Sequence, residues 1–302
     1  MNKEAAVFME NRRILERAKS FLYQNARLLD RRRYEYFFEE GSKEAVIEAL
    51  RPYQNRDGGF GNALEPDIRC PHSQPVPTEM ALTIMDEVDG FDPQILEGIV
   101  RYLRDITLQE GGIPFVFRSA GDYPHAPWWA AERDDRPSIN PTGRIVGLLY
   151  KQKLRTDFYR EEWFLKNVAY IWRVFDQEKP AGYHDGVQWI AFLQHTPEQE
   201  RASAYWPAVD EWLSRPGTIE RDPEAEGYVH KVLNWAPARD SYANKLISDA
   251  DVQKHLRALV RQQQEDGGWP ISWPPVSSGG EAEWRGWITV ERLKTLRSYG
   301  IL

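Results

Sequence analysis

Apolar positions recur at helical spacing along most of the chain. KEAVIEALRPY places Ala45, Val46, Ile47, Ala49 and Leu50 at separations that include three and four residues, and VQKHLRALVRQ does the same with Val252, Leu256, Leu259 and Val260. That is the period of a helix with one buried face. The same pattern runs through PQILEGIVRYLRDITL, GRIVGLLY, REEWFLKNVAYIWRVF and VQWIAFLQH. The first forty residues and the region 197–236 carry further helical patterns, and no segment alternates as a half-buried strand does. The predicted fold class is all-α. No composition break marks a linker, so residues 1–302 are expected to form a single domain.

The helices are punctuated by a repeated turn. Gln54 to Phe60 (QNRDGGF) and Gln263 to Trp269 (QQEDGGW) both read Gln, three residues, Gly, any residue, aromatic. Each follows a helical pattern that the Gly pair ends, since Gly takes the left-handed cap conformation at little steric cost. After a loop the chain re-enters a helix at a threonine, Thr78 or Thr289, a good capping residue. Two degenerate copies are expected between them. One runs from Gln109 to Ile113 and leads to Thr142; the other runs from Gln177 to Tyr183. Repetition at this scale decides the fold, and roughly six hairpins of this kind are enough to close a ring.

These turns resemble the QW repeats of squalene–hopene cyclases and their class II terpene-cyclase relatives, and less closely the β-subunits of protein prenyltransferases. The resemblance implies an α/α toroid of inner and outer helices around a central cavity, with Gln54, Phe60, Gln263 and Trp269 as scaffold. The chain departs from the family where its chemistry sits. Class II cyclases carry Asp-x-Asp-Asp entering an inner helix, but Gln74, Pro75, Val76 and Pro77 precede Thr78, and Ser138, Ile139, Asn140 and Pro141 precede Thr142. The nearest acidic run is Glu132, Arg133, Asp134, Asp135. The Asp-Asp-x-x-Asp of class I synthases is absent, because Ser138 stands where its last Asp would be. Asp67, Cys70 and His72 supply the residue types of a prenyltransferase zinc site, but within one short loop rather than at the family's dispersed spacing. No metal and no cofactor is expected.

Composition narrows the partners. Lys plus Arg is 39 against 46 for Asp plus Glu, a net charge of -7, so no overall basic field attracts nucleic acid. The run Arg31, Arg32, Arg33 is flanked by Asp30, Glu35, Glu39 and Glu40 and reads as a solvated helix face. The single cysteine, Cys70, excludes an internal disulfide. Neither a signal-peptide core nor a membrane-spanning apolar stretch is present, and the expected location is the cytoplasm. Aromatics make up 13% of the chain, enough to line a cavity as well as fill a core.

In a toroid of such hairpins, the loops at 61–77, 113–141, 183–188 and 270–288 would crowd one rim. The candidate catalytic residues there are Asp134, Asp135, Glu132, Asp67 and Glu65. Asp134 and Asp135 read as a carboxyl pair in which repulsion and a wall of Trp128 and Trp129 raise one pKa, giving a proton donor for an alkene or epoxide; the reading favoured over it is a solvent-exposed turn neutralised by Arg133 and Arg136. Glu65 and Asp67 have the same two readings, with Arg69 as structural partner. Trp128, Trp129, Trp189, Trp284 and Trp287, with Arg285 and His184, are the candidate substrate contacts, tryptophan faces being able to stabilise a carbocation. His184 and Asp185 read as an acid–base pair or as a loop hydrogen bond.

The expected function is a terpene-cyclase-like enzyme that protonates or ionises an isoprenoid, with a small apolar molecule as its partner. A carbohydrate-active α/α barrel and a non-catalytic toroid that binds lipid or protein are the alternatives.

Overall fold

The computed structural model describes residues 3–302, with side chains from Asn11 onward. Those residues are mostly helical. The only sheet among them joins two-residue strands, β1 (Ile113–Pro114) and β2 (Pro137–Ser138), antiparallel. The all-α class is therefore observed. No helix is long and apolar enough to cross a membrane among the described residues.

The chain groups into two compact units, Met1–Ser42 with Leu213–Leu302, and Lys43–Trp212. The first opens with α1 (Lys3–Asn25) and α2 (Leu28–Phe38). The second unit follows with α3 (Lys43–Leu50), α4 (Pro75–Glu87), α5 (Pro93–Ile106), α6 (Ile139–Lys151), α7 (Glu162–Gln177) and α8 (Tyr183–His195), then the short α9 (Gln199–Ser203) and α10 (Trp206–Leu213). The first unit resumes with α11 (Val232–Trp235), α12 (Asp249–Arg261) and α13 (Ser278–Ser298).

Local chemistry sets several of these boundaries. Asp92 caps α5 by accepting from the N–H groups of Gln94 and Ile95, ahead of Pro93 at the first helical position, and Ser248 and Ser277 cap α12 and α13. The apolar stripe Ile95, Leu96, Ile99, Val100, Leu103 then buries one face of α5. In the second unit, α6 packs between α4 and α8, while α5 packs on α7. Alternate helices therefore form two layers, as a row of hairpins does. In the other unit α1, α2 and α13 pack on one another, and α11 packs on α12.

The turns that the sequence singles out are built alike. Gln54 Nε2 donates to Gly58 O and to Ile95 O on α5, 3.0 Å each. Gln263 Nε2 donates to Gly267 O at 2.9 Å and to Ile14 O on α1 at 3.0 Å. Gly58 and Gly267 both have φ +96°, and a Cβ there would meet Gly98 O at 2.0 Å and Arg17 O at 2.1 Å. Both positions need glycine for conformation and for contact.

Four expectations about these turns are corrected. The threonines are not caps, since α4, α6 and α13 start ahead of them. Instead each hydroxyl accepts the N–H that closes a turn: Thr78 from Phe60 at 3.1 Å, Thr142 from Ile113 at 2.9 Å, Thr289 from Trp269 at 3.2 Å. The copy near Gln109 is in another register. Gly111 N donates to Leu108 O, as Gly58 N does to Asn55 O and Gly267 N to Gln264 O, so Thr107 stands where the other copies have glutamine, and Gln109 is exposed. Gln177 begins no turn at all. It ends α7, and α8 starts at Tyr183 beside Gly182, whose surroundings are open. Finally, residues 183–188 and 278–288 are helix rather than loop.

The basic run is also not a uniformly solvated face. Arg32 pairs with Glu35 at 2.6 Å, but Arg33 is fully buried against Asp30 and Glu291, with its guanidinium 3.8 Å from the Trp287 ring centre.

Candidate active site

A polar cluster sits inside the α4, α6, α8 layer. Glu79 lies one residue past Thr78 on α4 and is 8% exposed. Its Oε1 accepts from Gln188 Nε2 on α8 at 3.3 Å and lies 3.7 Å from Arg144 Nε on α6. Gln188 Nε2 also donates to Asn140 Oδ1 at 3.2 Å, and its Oε1 accepts from the backbone N–H of Arg144 at 2.6 Å.

Close helix packing makes this convergence possible. Gly143 and Gly147, one turn apart on α6, face α8. A Cβ on Gly143 would sit 2.9 Å from the Gln188 carbonyl oxygen, and one on Gly147 would sit 2.6 Å from Ala191 O. The missing side chains let α8 approach until Gln188 reaches across to α4.

Burial raises the Glu79 pKa above the usual carboxylate range, and Arg144 and Gln188 only partly offset it. A carboxyl held in this way keeps its proton closer to neutrality than a surface glutamate, the condition for general acid chemistry. Arg144 has 38% of its side chain exposed and so offers charge toward solvent while it faces Glu79.

The acids singled out in the sequence lie elsewhere. Glu132, Asp134 and Asp135 are exposed. Asp134 accepts from the Arg118 N–H at 2.7 Å, while Asp135 pairs with Arg133, which lowers its pKa. For Asp135 the expected raised pKa is thus corrected, since its ion pair with the exposed Arg133 lowers it instead. Glu65 and Asp67 are 4% and 1% exposed in the loop that leads to α4, and the Asp67 backbone joins that loop to residues 125–126. Cys70 is buried, with Gln74 and Ser119 as partners, while His72 is exposed beside Tyr123. No group of three His, Cys, Asp or Glu side chains suited to a metal forms among the described residues.

The aromatic candidates are mostly packed. Trp189 is 2% exposed and stacks on Phe175 at 3.8 Å, so it fills core rather than lining a cavity. Trp129 is buried on Phe115 at 4.9 Å, whereas its neighbour Trp128 is 46% exposed. On α13, Trp284 meets Trp273 edge-on at 5.2 Å, and Trp287 lies under Arg33. Arg285 braces the turn at 263–269 through Gln264 Oε1, Asp266 and Trp269 O. His184 is exposed in the first turn of α8 beside Tyr183, and Asp185 accepts from the Ala181 N–H at 3.2 Å.

Glu79, Asn140, Arg144 and Gln188 were not reached by reading motifs. The available signal was a carboxylate directly behind the turn threonine in an otherwise apolar helix, PTEMALTIM, together with Gly143 and Gly147 at the spacing of one helical turn. A cleft of about 690 Å3 opens at the other end of α4, where Asp86 pairs with Lys151 at 2.8 Å. It holds none of the sequence-predicted site residues.

No protein-family model matches the chain, and no curated protein does. Its fold is similar to that of a crystal structure of a protein from Actinoplanes, with a TM-score of 0.55 and 15% identity over 95% of this chain and 99% of that one.

Proposed function

We propose that the hairpins close into an α/α toroid and that the chain is a terpene-cyclase-like enzyme in which Glu79 protonates an isoprenoid. The observation that carries this reading is a buried carboxyl within the α4, α6, α8 layer, held above its ordinary pKa. Two features support the toroid: alternate helices pack in two layers, and the turn before the last helix docks on α1 as the turn at Gln54 docks on α5.

In the proposed step the Glu79 O–H breaks, a C–H bond forms at one alkene carbon, and the positive charge is left on the other. Gln188 Nε2 and Arg144 then stabilise the carboxylate that remains. Ring closure follows, a water takes the proton that leaves carbon, and solvent returns one proton to Glu79, so charge and protons balance over the cycle. Arg144, charged and part-exposed, suits an anionic head group such as a diphosphate. The acid is thereby moved from Asp134 and Asp135 to α4.

The test is incubation with farnesyl and geranylgeranyl diphosphate and with squalene in deuterated water. A cyclised product carrying one deuterium is expected. Glu79→Gln should lower turnover at least about 100-fold, the usual worth of a positioned acid, while Asp134→Asn and Asp135→Asn serve as rival arms. Turnover retained in Glu79→Gln and lost in either aspartate variant would return the acid to the 132–135 loop.

One observation favours a second reading. The neighbours of Glu79 include two amides, Gln188 and Asn140, which suit sugar hydroxyls better than hydrocarbon. Release of reducing ends from a polysaccharide panel, with no isoprenoid product, would establish the carbohydrate-active alternative. Failure of both substrate classes would leave the non-catalytic lipid- or protein-binding toroid.

A further inference from the structure

The polar cluster around Glu79 contains one hydrogen bond whose direction cannot be reversed. Gln188 is 2% exposed, and its side chain meets three groups: the backbone N–H of Arg144 at 2.6 Å, Asn140 Oδ1 at 3.2 Å and Glu79 Oε1 at 3.3 Å. A carboxyl can gain or lose a hydrogen and a side-chain amide can turn over, so the last two contacts alone fit either sense. The first does not. A backbone N–H only donates, so the atom that faces Arg144 N is the Gln188 oxygen, and the nitrogen is left for the other two.

Nε2 of Gln188 carries two hydrogens and no lone pair free to accept. One hydrogen goes to Asn140 and one to Glu79, so both oxygens that face Nε2 are acceptors. Oε1 of Glu79 also lies 3.7 Å from Arg144 Nε, which can only donate. The anchor of this chain of bonds is backbone, which neither rotates nor titrates. Gly143 brings that backbone close: a Cβ on it would meet Gln188 Cβ at 2.9 Å.

We propose that Gln188 is a positioning residue: locked by the Arg144 N–H, it holds Oε1 of Glu79 as an acceptor, so that the hydrogen of the protonated carboxyl sits on Oε2 and leaves from there. The place of the hydrogen follows from the amide alone, whereas its use in a reaction rests on the reading of Glu79 as the acid. When Oε2 gives up its hydrogen, the Gln188 donor already stands at Oε1, and nothing has to reorganise around the charge that develops. Burial is the main cause that raises the Glu79 pKa; Arg144, the charged group that faces it, and Gln188 both lower it. Loss of the Gln188 donor therefore makes Glu79 a weaker acid.

The experiment titrates the full chain, labelled with 13C at the glutamate carboxyls, by NMR, with the Glu79 signal identified by its absence in Glu79→Gln. Gln188→Met keeps the length of the side chain without the donor, and in it Glu79 is expected to titrate at higher pH than in the wild type. An unmoved or lower titration would overturn the proposal. Should Gln188→Met fail to fold, the wild type gives the answer by itself: the side-chain hydrogens of Gln188 are expected to shift as Glu79 titrates and to stay slow to exchange on the acid side, where the carboxyl is protonated. Exchange that turns fast there would put the hydrogen on Oε1 and sink the assignment.

The catalytic use has its own readout. On an isoprenoid that the wild type cyclises, Gln188→Met should lower kcat about 10- to 100-fold, the worth of a hydrogen bond to a charged group. KM should stay unchanged, and the alkaline limb of activity should move to higher pH. A lower kcat with that limb in place would mean that Gln188 only supports the packing, against the proposal. Absence of any isoprenoid product from the wild type would end the reading of Glu79 as the acid, while the NMR outcomes still decide where its hydrogen sits.

Discussion

Gln263 Nε2 donates to the backbone oxygen of Ile14 at 3.0 Å, across 249 residues of sequence. The same nitrogen donates to Gly267 O, so one amide closes its own turn and fastens that turn to α1. Gln54 repeats both bonds with Gly58 O and Ile95 O. A glutamine is needed because both targets are carbonyls and a single NH2 group reaches both.

Replacement of either glutamine by leucine leaves two carbonyls without that donor. Gln54→Leu and Gln263→Leu are each expected to lower stability by about 1–3 kcal/mol. Glutamate at either position should do no better, since a carboxylate faces the same carbonyls without a donor. Urea unfolding of each variant measures the loss, and a cost near zero would show that the amide bonds are incidental to the turn.

The copy that lacks the glutamine uses a different pair. Asn167 Nδ2 donates to Thr107 Oγ1 at 2.8 Å and to Trp163 O at 3.0 Å. It thereby replaces from α7 the amide that the other turns supply themselves. Thr107→Val and Asn167→Leu should each destabilise, and the double variant should cost less than their sum by about 0.5–3 kcal/mol, as expected for contacting residues. Strict additivity in a double-mutant cycle would rule out the compensation.

That swap also explains what could be read from the sequence. The copies at Gln54 and Gln263 were legible because glutamine, glycine and aromatic all lie within seven consecutive residues. At Thr107 the amide had moved to Asn167, sixty residues away, so the nearby Gln109 took its place in the motif by residue type alone. The threonines were found as positions, but their bonds run backward to the turn rather than forward into the helix. Glu79 was hidden for a related reason. What distinguishes it is supplied by α6 and α8: Arg144 faces it from α6, and Gln188 reaches it from α8 because Gly143 and Gly147 let those two helices close up.

Glycine at the turn is held by contact as well as conformation, and the two can be separated. Gly58→Ala adds a Cβ 2.0 Å from Gly98 O at φ +96°, whereas Gly217, at φ +85°, has nothing within 4 Å. Gly217→Ala should cost only the left-handed strain, about 1–2 kcal/mol. Gly58→Ala should cost more by a further ~1–3 kcal/mol, because the backbone of α5 must move. Equal losses in thermal unfolding would mean that the α5 contact carries nothing.

Two glutamates respond to pH with opposite sign. Burial pushes Glu291 up, but Lys294 and Arg33 outweigh it and hold its pKa down to about 2. Its contribution to stability is present above the ordinary glutamate value and lost as pH falls toward 2. Glu291→Gln should therefore flatten the acid limb of the stability profile. An acid limb as steep as the wild type's would assign that limb to other carboxylates.

Glu79 is raised, so the sign reverses. Below the ordinary glutamate value both folded and unfolded chains hold the proton; as pH rises, the unfolded chain releases it first, and stability falls until the folded pKa is passed. Glu79→Gln removes that loss. It also removes the carboxylate facing Arg144, but that attraction is already part of what sets the Glu79 pKa, and the guanidinium itself stays charged throughout this range. The stability of Glu79→Gln relative to the wild type should therefore rise between about pH 4 and about pH 8, whatever its absolute value. A relative stability that falls over the same range would place the Glu79 pKa below its ordinary value, with Arg144 outweighing burial, and would remove the acid on which the proposed protonation depends.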